Sequence, residues 1–266
     1  MKKLLIPFMI MALISSVIVS CEKPDPTPDD PTDPDNPTGW PTEAPACAAF
    51  TSQIIDGGFE TQWYHPKGVD YLEYKSSVFY TLNSLVDLKD IPSLQVTNAP
   101  ISAQIDSVTP HSGRYAMKLV TGTLTDAANG HLLIPGAIAP LNTNFVDEFL
   151  NNPDGISIKR PYTAKPTSIK GYFKYTSVAG DSASVCVELF SGNTLVARGY
   201  FLQKSTVSTW TPFSAPIEYI GDYNACSPTH ISIIVSSSAG YNFADLTNCK
   251  GQDGSTLWVD DLEFGF

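Results

Sequence analysis

The chain has 266 residues and a formal net charge of −11. Residues 1–20 carry +2 and residues 22–45 carry −6, which leaves −7 for residues 46–266, thirteen bases against twenty acids. A partner gripped through its phosphate backbone needs a clustered basic surface, so this balance excludes nucleic acid as the ligand.

The N-terminus starts with Lys2 and Lys3, continues as an apolar run from Leu4 to Val19, and reaches small residues at Ile18-Val19-Ser20-Cys21. That run is too short and wrongly flanked for a permanent transmembrane helix, and it fits a segment removed on export. The junction resembles a bacterial lipobox. The resemblance implies a signal peptide over residues 1–20 and lipidation of Cys21, since two or more acyl chains hold a protein stably on a membrane. The competing reading is an ordinary secretion signal with an incidental cysteine. Residues 21–45 hold prolines at 24, 26, 28, 31, 34, 37, 41 and 45 and almost no apolar side chains, which predicts a disordered, partly polyproline II linker. At about 3.1 Å per residue it would hold a head up to roughly 70 Å from the lipid. Acidic runs just after the lipid-bearing cysteine resemble signals that sort lipoproteins to the outer face of the outer membrane in some anaerobic gut bacteria, although Glu22-Lys23-Pro24 departs from that pattern. The expected location is the outer membrane, exposed at the cell surface or facing the periplasm.

Residues 46–266 are long enough for one substantial core. Period-2 runs separated by turn residues predict strands over 79–83, 103–109, 115–121, 168–175, 183–190, 195–203, 212–219, 230–236 and 256–264. One short helix is predicted from Asn144 to Leu150, opened by Thr143 and closed by Asn151-Asn152-Pro153. The fold class is all-β, an antiparallel β-sandwich or jelly roll with one short helix. Leu257 and Val259 share a face while Leu262 and Phe264 resume one step out of phase, which predicts a bulge at Asp260-Asp261.

By alternation, Tyr172, Lys174, Glu188, Arg198 and Tyr200 fall on the face opposite the core residues of the middle strands. Aromatic rings beside planar polar groups suit a sugar, so these five are candidate ligand-binding residues. The alternative is a solvated sheet with Glu188 paired to Lys174 or Arg198, worth a fraction of a kcal/mol. Trp63 and Tyr64 form a second aromatic candidate in an edge loop, where recognition residues concentrate. Trp63 fits a core plug equally well.

Asp56-Gly57-Gly58-Phe59-Glu60, Thr109 to Leu119 and Gly254 to Asp261 resemble three signatures of galactose-binding-like jelly rolls and carbohydrate-binding modules. Gly171-Tyr172-Phe173-Lys174-Tyr175, Gly180-Asp181 and Ser236-Ser237-Ser238 are similar to a bacterial carbohydrate metabolism domain, and the likeness covers roughly residues 54–266. It implies a substrate class, a glycan, and no particular reaction. In the carbohydrate-binding relatives, the positions here held by Glu60 and by Asp260 or Asp261 often ligate a structural Ca2+, an ion that takes several hard oxygen ligands. The alternative is a solvated acidic turn balanced by Arg114 or Lys118.

Catalytic signatures fail. Gly180-Asp181-Ser182 is followed by alanine and reads as a turn, and the chain has no Cys-x-x-Cys pair, paired-histidine zinc helix or glycine-rich phosphate loop. Glycoside hydrolysis stays open because it needs only two facing carboxylates, and Asp181, Asp222, Asp245 and Asp253 lie in loop contexts. Export permits disulfides, and Cys226 with Cys249 flank one strand and its following loop, so a bridge between them is expected, while Cys186 sits mid-strand. The reading is a cell-surface lipoprotein that binds polysaccharide or glycoprotein glycans in support of carbohydrate acquisition, beside surface glycan-degrading or uptake proteins. The alternatives are a glycoside hydrolase with a loop carboxylate pair and a structural or adhesive surface subunit.

Overall fold

The structure is a computed structural model that describes residues 39–46, 49–90, 95–127, 130–141, 146, 158–240 and 250–266. The expectations for the signal peptide, Cys21, most of the linker, Asp245, Cys249 and all of the Asn144 to Leu150 helix but Val146 lie outside the described residues. No helix among those described is long and apolar enough to cross a membrane.

In chain order the strands are β1 (Trp63–Tyr64), β2 (Glu73–Tyr74), β3 (Tyr80–Thr81), β4 (Val96–Asn98), β5 (Ala103–Asp106), β6 (Ala116–Val120), β7 (Gly122–Asp126), β8 (Gly130–Ile134), β9 (Ala137–Ala139), β10 (Arg160–Pro161), β11 (Ser168–Thr176), β12 (Ala183–Ser191), β13 (Thr194–Gln203), β14 (Val207–Tyr219), β15 (His230–Ser236) and β16 (Thr256–Gly265), with a 3-10 helix at Asn83–Asp90. The main sheet runs β3-β9-β15-β12-β13-β14-β11-β16-β6-β5, and β10 pairs with β15. Every strand pair is antiparallel.

The long strand β14 turns this path into a sandwich. Its first part pairs with β11 from Val207 to Pro216, and Ile217, Glu218 and Tyr219 pair with β13. Pro212 and Pro216 are tolerated there because β13 joins only beyond them, which leaves no ladder bond on that side to lose. Alternation turns Val185, Val187, Leu189, Ile231, Ile233 and Val235 of one layer against Ile169, Phe173, Tyr175, Leu257, Val259 and Leu119 of the other, one continuous core.

A second, smaller core lies outside the first layer. Tyr80, Leu82, Leu85, Leu124, Ile134, Ala137, Ala139 and Leu141 pack together, with Ile234 of β15 against them. Strand β9 serves both cores: Ile138 belongs to the main one while Ala137 and Ala139 belong to the second. One outer face of the sandwich is thus covered over β15 and β9.

The fold differs from expectation at the linker. Trp40 packs its ring 5.7 Å from that of Tyr115, and the Pro41 carbonyl accepts the His65 N–H at 2.6 Å. Apolar contact therefore draws residues 40–41 onto the head, so a disordered linker reaching residue 45 is corrected.

Candidate functional site

A cleft of about 460 Å³ opens at one end of β12 and β13, lined by Asp181, Ser182, Tyr200, Leu202, Lys250 and Gln252 among others. The turn between β11 and β12 forms one side: the Asp181 N–H donates to the Val178 carbonyl at 2.9 Å, and Gly180 takes φ 82°. That left-handed conformation is free for glycine and costly for a residue with a Cβ. Asp181 then joins three segments. Its Oδ2 accepts the Ser238 hydroxyl at 2.6 Å and the Gln252 N–H at 3.0 Å, and its Oδ1 accepts the Ser182 N–H at 2.7 Å. Below, the Ser237 and Ser238 hydroxyls lie 2.7 and 2.6 Å from that of Thr121. A fully bonded polar network of this kind fixes a rim rigidly.

Above the rim, Tyr200 is 45 % exposed and Leu202 37 %, both on the outer face of β13 because Phe201 between them packs inward on Phe173 and Phe213. Glu188, Arg198 and Tyr200 come together as expected: Glu188 faces Arg198 across the ladder, their charged atoms are 3.4 Å apart, and the guanidinium lies 5.6 Å from the Tyr200 ring centroid.

Tyr172 and Lys174 do not join them. They lie on β11 beneath a loop that folds over that layer. The Tyr172 ring is stacked under His111 at 3.5 Å, which occupies the face a sugar would use. The Lys174 ammonium donates to the Thr109 hydroxyl at 2.7 Å, lies 3.8 Å from Asp106, and sits 4.5 and 5.2 Å from the Trp210 and Trp258 rings. Burial lowers the Lys174 pKa, with Asp106 pulling the other way. Trp210 adds an indole N–H donated to the Thr109 carbonyl at 2.8 Å. These side chains hold a loop, so the ligand role expected of Tyr172 and Lys174 is corrected.

Trp63 and Tyr64 are corrected as well, because β1 turns both inward. Trp63 is 1 % exposed, with its indole N–H donated to the Phe59 carbonyl at 2.8 Å. Tyr64 is buried with its hydroxyl 2.9 Å from that of Tyr80, and burial raises its pKa.

Glu60, Asp260 and Asp261 grip the loop that covers β11. Glu60 accepts the Arg114 and Tyr115 N–H groups at 3.0 and 3.2 Å. Asp260 accepts those of His111 and Ser112 at 2.9 and 3.2 Å, and Asp261 lies 2.7 Å from His111 Nδ1 and 2.8 Å from the Ser112 hydroxyl. Gly113 at φ 59° leaves room for Glu60, whose carboxylate any side chain at that position would strike. The expected bulge is present: the β11–β16 register slips between Lys170 and Tyr172, and Asp261 takes φ 51°. Among the described residues no group of three His, Cys, Asp or Glu side chains forms a metal cluster. Asp260 is nevertheless fully buried, and burial together with the Asp261 charge pushes its pKa up to about 6, against the pull of the N–H donors. A buried carboxylate beside a second acid is a setting that a divalent cation suits.

Among the described residues, neither of the two clefts at hand assembles a hydrolytic pair. Asp181 is the one carboxylate lining the first cleft among the described residues, and a second cleft of about 350 Å³, between Phe50, Lys75, Ser76, Ser77 and Arg160, has none. Glu73, pushed up to about 8 by burial, with Asp87 adding to the rise, is only 1 % exposed and out of a substrate's reach. Asp222 caps the Asn224 N–H at 2.9 Å, an ordinary turn role. Cys226 carries a buried thiol, free among the described residues, near Tyr219, and Cys249, its expected partner, lies outside them.

Asp181, Ser182, Leu202, Lys250 and Gln252 were not singled out as ligand residues by the sequence. Leu202 carried a signal, since it shares the Tyr200 face by alternation. The meeting of Asp181 with Ser238 and Gln252, partners 57 and 71 residues away, carried none.

No family model matches this chain, and no curated protein does. Among solved structures, a candidate glycoside hydrolase from Bacteroides thetaiotaomicron is similar at 16 % identity and TM-score 0.54, over 75 % of this chain and 68 % of its own. A second, from Bacteroides vulgatus, is similar at 14 % identity and TM-score 0.55, over 82 % and 99 %. A family 16 carbohydrate-binding module aligns more loosely, at 11 % identity and TM-score 0.33, over 60 % and 83 %. The antiparallel jelly-roll sandwich is thereby shared with the two Bacteroides proteins.

Proposed function

We propose that this chain binds polysaccharide or glycoprotein glycans in the cleft between the Val178 to Ser182 turn and β13, as a lipoprotein of the outer membrane serving carbohydrate acquisition. One observation carries the reading: a half-exposed Tyr200 stands at the mouth of a cleft of about 460 Å³ beside the fixed carboxylate of Asp181 and the polar side chains of Ser182, Lys250 and Gln252. The aromatic face takes the apolar side of a pyranose, and the polar groups take its hydroxyls. Affinity electrophoresis of the full chain in mild detergent, through gels holding plant and host polysaccharides, tests it. Retardation by one polymer class that Tyr200→Ala abolishes supports the reading, and no retardation by any polymer refutes it.

The names of the Bacteroides proteins raise hydrolysis as a second activity. It would need a carboxylate opposite Asp181, and release of reducing ends from the retarding polymer would reveal it. Anchoring rests on the Cys21 junction: palmitate should label the wild type and not Cys21→Ser. Glycan-degrading or uptake proteins at the same surface are the partners this role calls for. Ca2+ would be held by Glu60 and Asp260 with Asp261 nearby, and would supply structural cross-linking of the Gly58-Glu60 segment to β16.

A further inference from the structure

The Tyr200 cleft does not end at Tyr200. On β12 and β13, Ser184 faces Leu202, Cys186 faces Tyr200 and Glu188 faces Arg198, and on the other side of β12 these rows continue to Ser236, Ile234 and Ser232 of β15. Exposure falls from β13 to β12 in each row. Arg198 is exposed, Glu188 half-buried and Ser232 buried, because the second core sits on Ile234 and covers β15 while leaving β13 open. The result is a floor with a wall along one side. The wall continues past the Glu188 row, where Lys159 sets its ammonium 3.9 Å from the Phe190 ring. At its foot the Ser232 hydroxyl, in a residue only 2 % exposed, has no hydrogen-bond partner among the described residues. From Ser184 to Phe190 the floor spans six residue steps, about 20 Å at roughly 3.3 Å each.

We infer that the cleft is one end of a groove along the outer face of β12 and β13, and that its ligand is the interior of a linear glycan chain several sugars long. The inference deepens the glycan-binding reading and rests on it. Tyr200 and Leu202 serve the first sugars, Arg198 with Glu188 the middle, and Phe190 with Lys159 the far end.

Titration of the full chain by calorimetry with β-1,4-linked galactan, xylan and glucan oligosaccharides, each as disaccharide and hexasaccharide, tests the groove. The hexasaccharide of the bound sugar should bind at least about tenfold tighter than its disaccharide. Arg198→Ala or Lys159→Ala should remove most of that gain, and Lys159→Ala, at the far end, leaves the disaccharide affinity in place, whereas Tyr200→Ala weakens both lengths. Thermal melts of each variant confirm an intact fold. Equal affinity for the two lengths, or a gain with length that neither Arg198→Ala nor Lys159→Ala touches, overturns the groove and leaves the cleft standing. Binding of none of the six probes overturns both.

Discussion

At the scale of single residues, burial decides which side chains face a ligand. Trp63 and Tyr200 are both aromatic and both sit near turns, yet one is 1 % exposed and the other 45 %. Nothing in the composition around Trp63 distinguishes a core plug from a recognition residue; the inward turn of β1 does. Tyr200 was legible because strict alternation beside Phe201 fixes its face. Glu73 leads to a pH prediction. Its carboxyl is pushed from an ordinary 4.5 up to about 8, chiefly by burial. Within that window the folded chain holds a proton that the unfolded chain releases, so the contribution is present below 4.5 and is lost as pH rises toward 8. Glu73→Gln keeps an acceptor for the Thr81 hydroxyl and the Tyr74 N–H and has no charge to lose. Thermal melts from about pH 5 to about pH 8 should show the variant gaining on the wild type as pH rises; a pH-independent difference contradicts this.

At the scale of elements, the long strands were readable, as were the short β3, β5 and β6, whereas β1, β2, β4, β7, β8, β9 and β10 were not. Strands β11 to β14 each bury one face in the main core and leave the other open, so their sequences alternate, and β15 was readable although the second core covers its other face. Strand β9 is buried on both faces by two different cores, and Ala137-Ile138-Ala139 shows no period at all. The 3-10 helix at Asn83–Asp90 was missed for a related reason: Asn83 is buried there to hydrogen-bond the Ala103 backbone, a tertiary demand no local pattern reveals. The bulge at Asp260-Asp261 was legible because it breaks the phase of a strong alternation. The loop gripped by that bulge yields two predictions. Asp261→Ala removes acceptors for His111 and Ser112 and should speed hydrogen exchange over residues 107–113, costing about 1–3 kcal/mol of stability. Unchanged exchange there contradicts the clamp. Gly113→Ala places a methyl on the Glu60 carboxylate in a left-handed conformation and should lower the melting temperature by several degrees, on the order of 1–2 kcal/mol; an unchanged melting temperature contradicts it.

At the scale of the whole molecule, two cores of unequal size shape the surface. The larger gives a rigid sandwich, and the smaller covers β15 and so leaves a step beside β13. That division was not legible, because many residues of the second core come from β7, β8, β9 and the 3-10 helix, whose sequence signals are weak. A bound Ca2+ would cross-link the Gly58-Glu60 segment to β16, so calcium should raise the melting temperature and chelator lower it, with the shift lost in Asp260→Asn; an identical melt under both conditions contradicts a calcium site. The most direct measurement is affinity electrophoresis of wild type, Tyr200→Ala and Tyr172→Ala against the same polysaccharide panel. Retardation of wild type and Tyr172→Ala by one polymer, lost in Tyr200→Ala, is the expected result, because Tyr200 lines the open cleft and Tyr172 lies stacked under His111. Retardation lost in Tyr172→Ala and kept in Tyr200→Ala would place the glycan on the opposite layer and contradict the site described above.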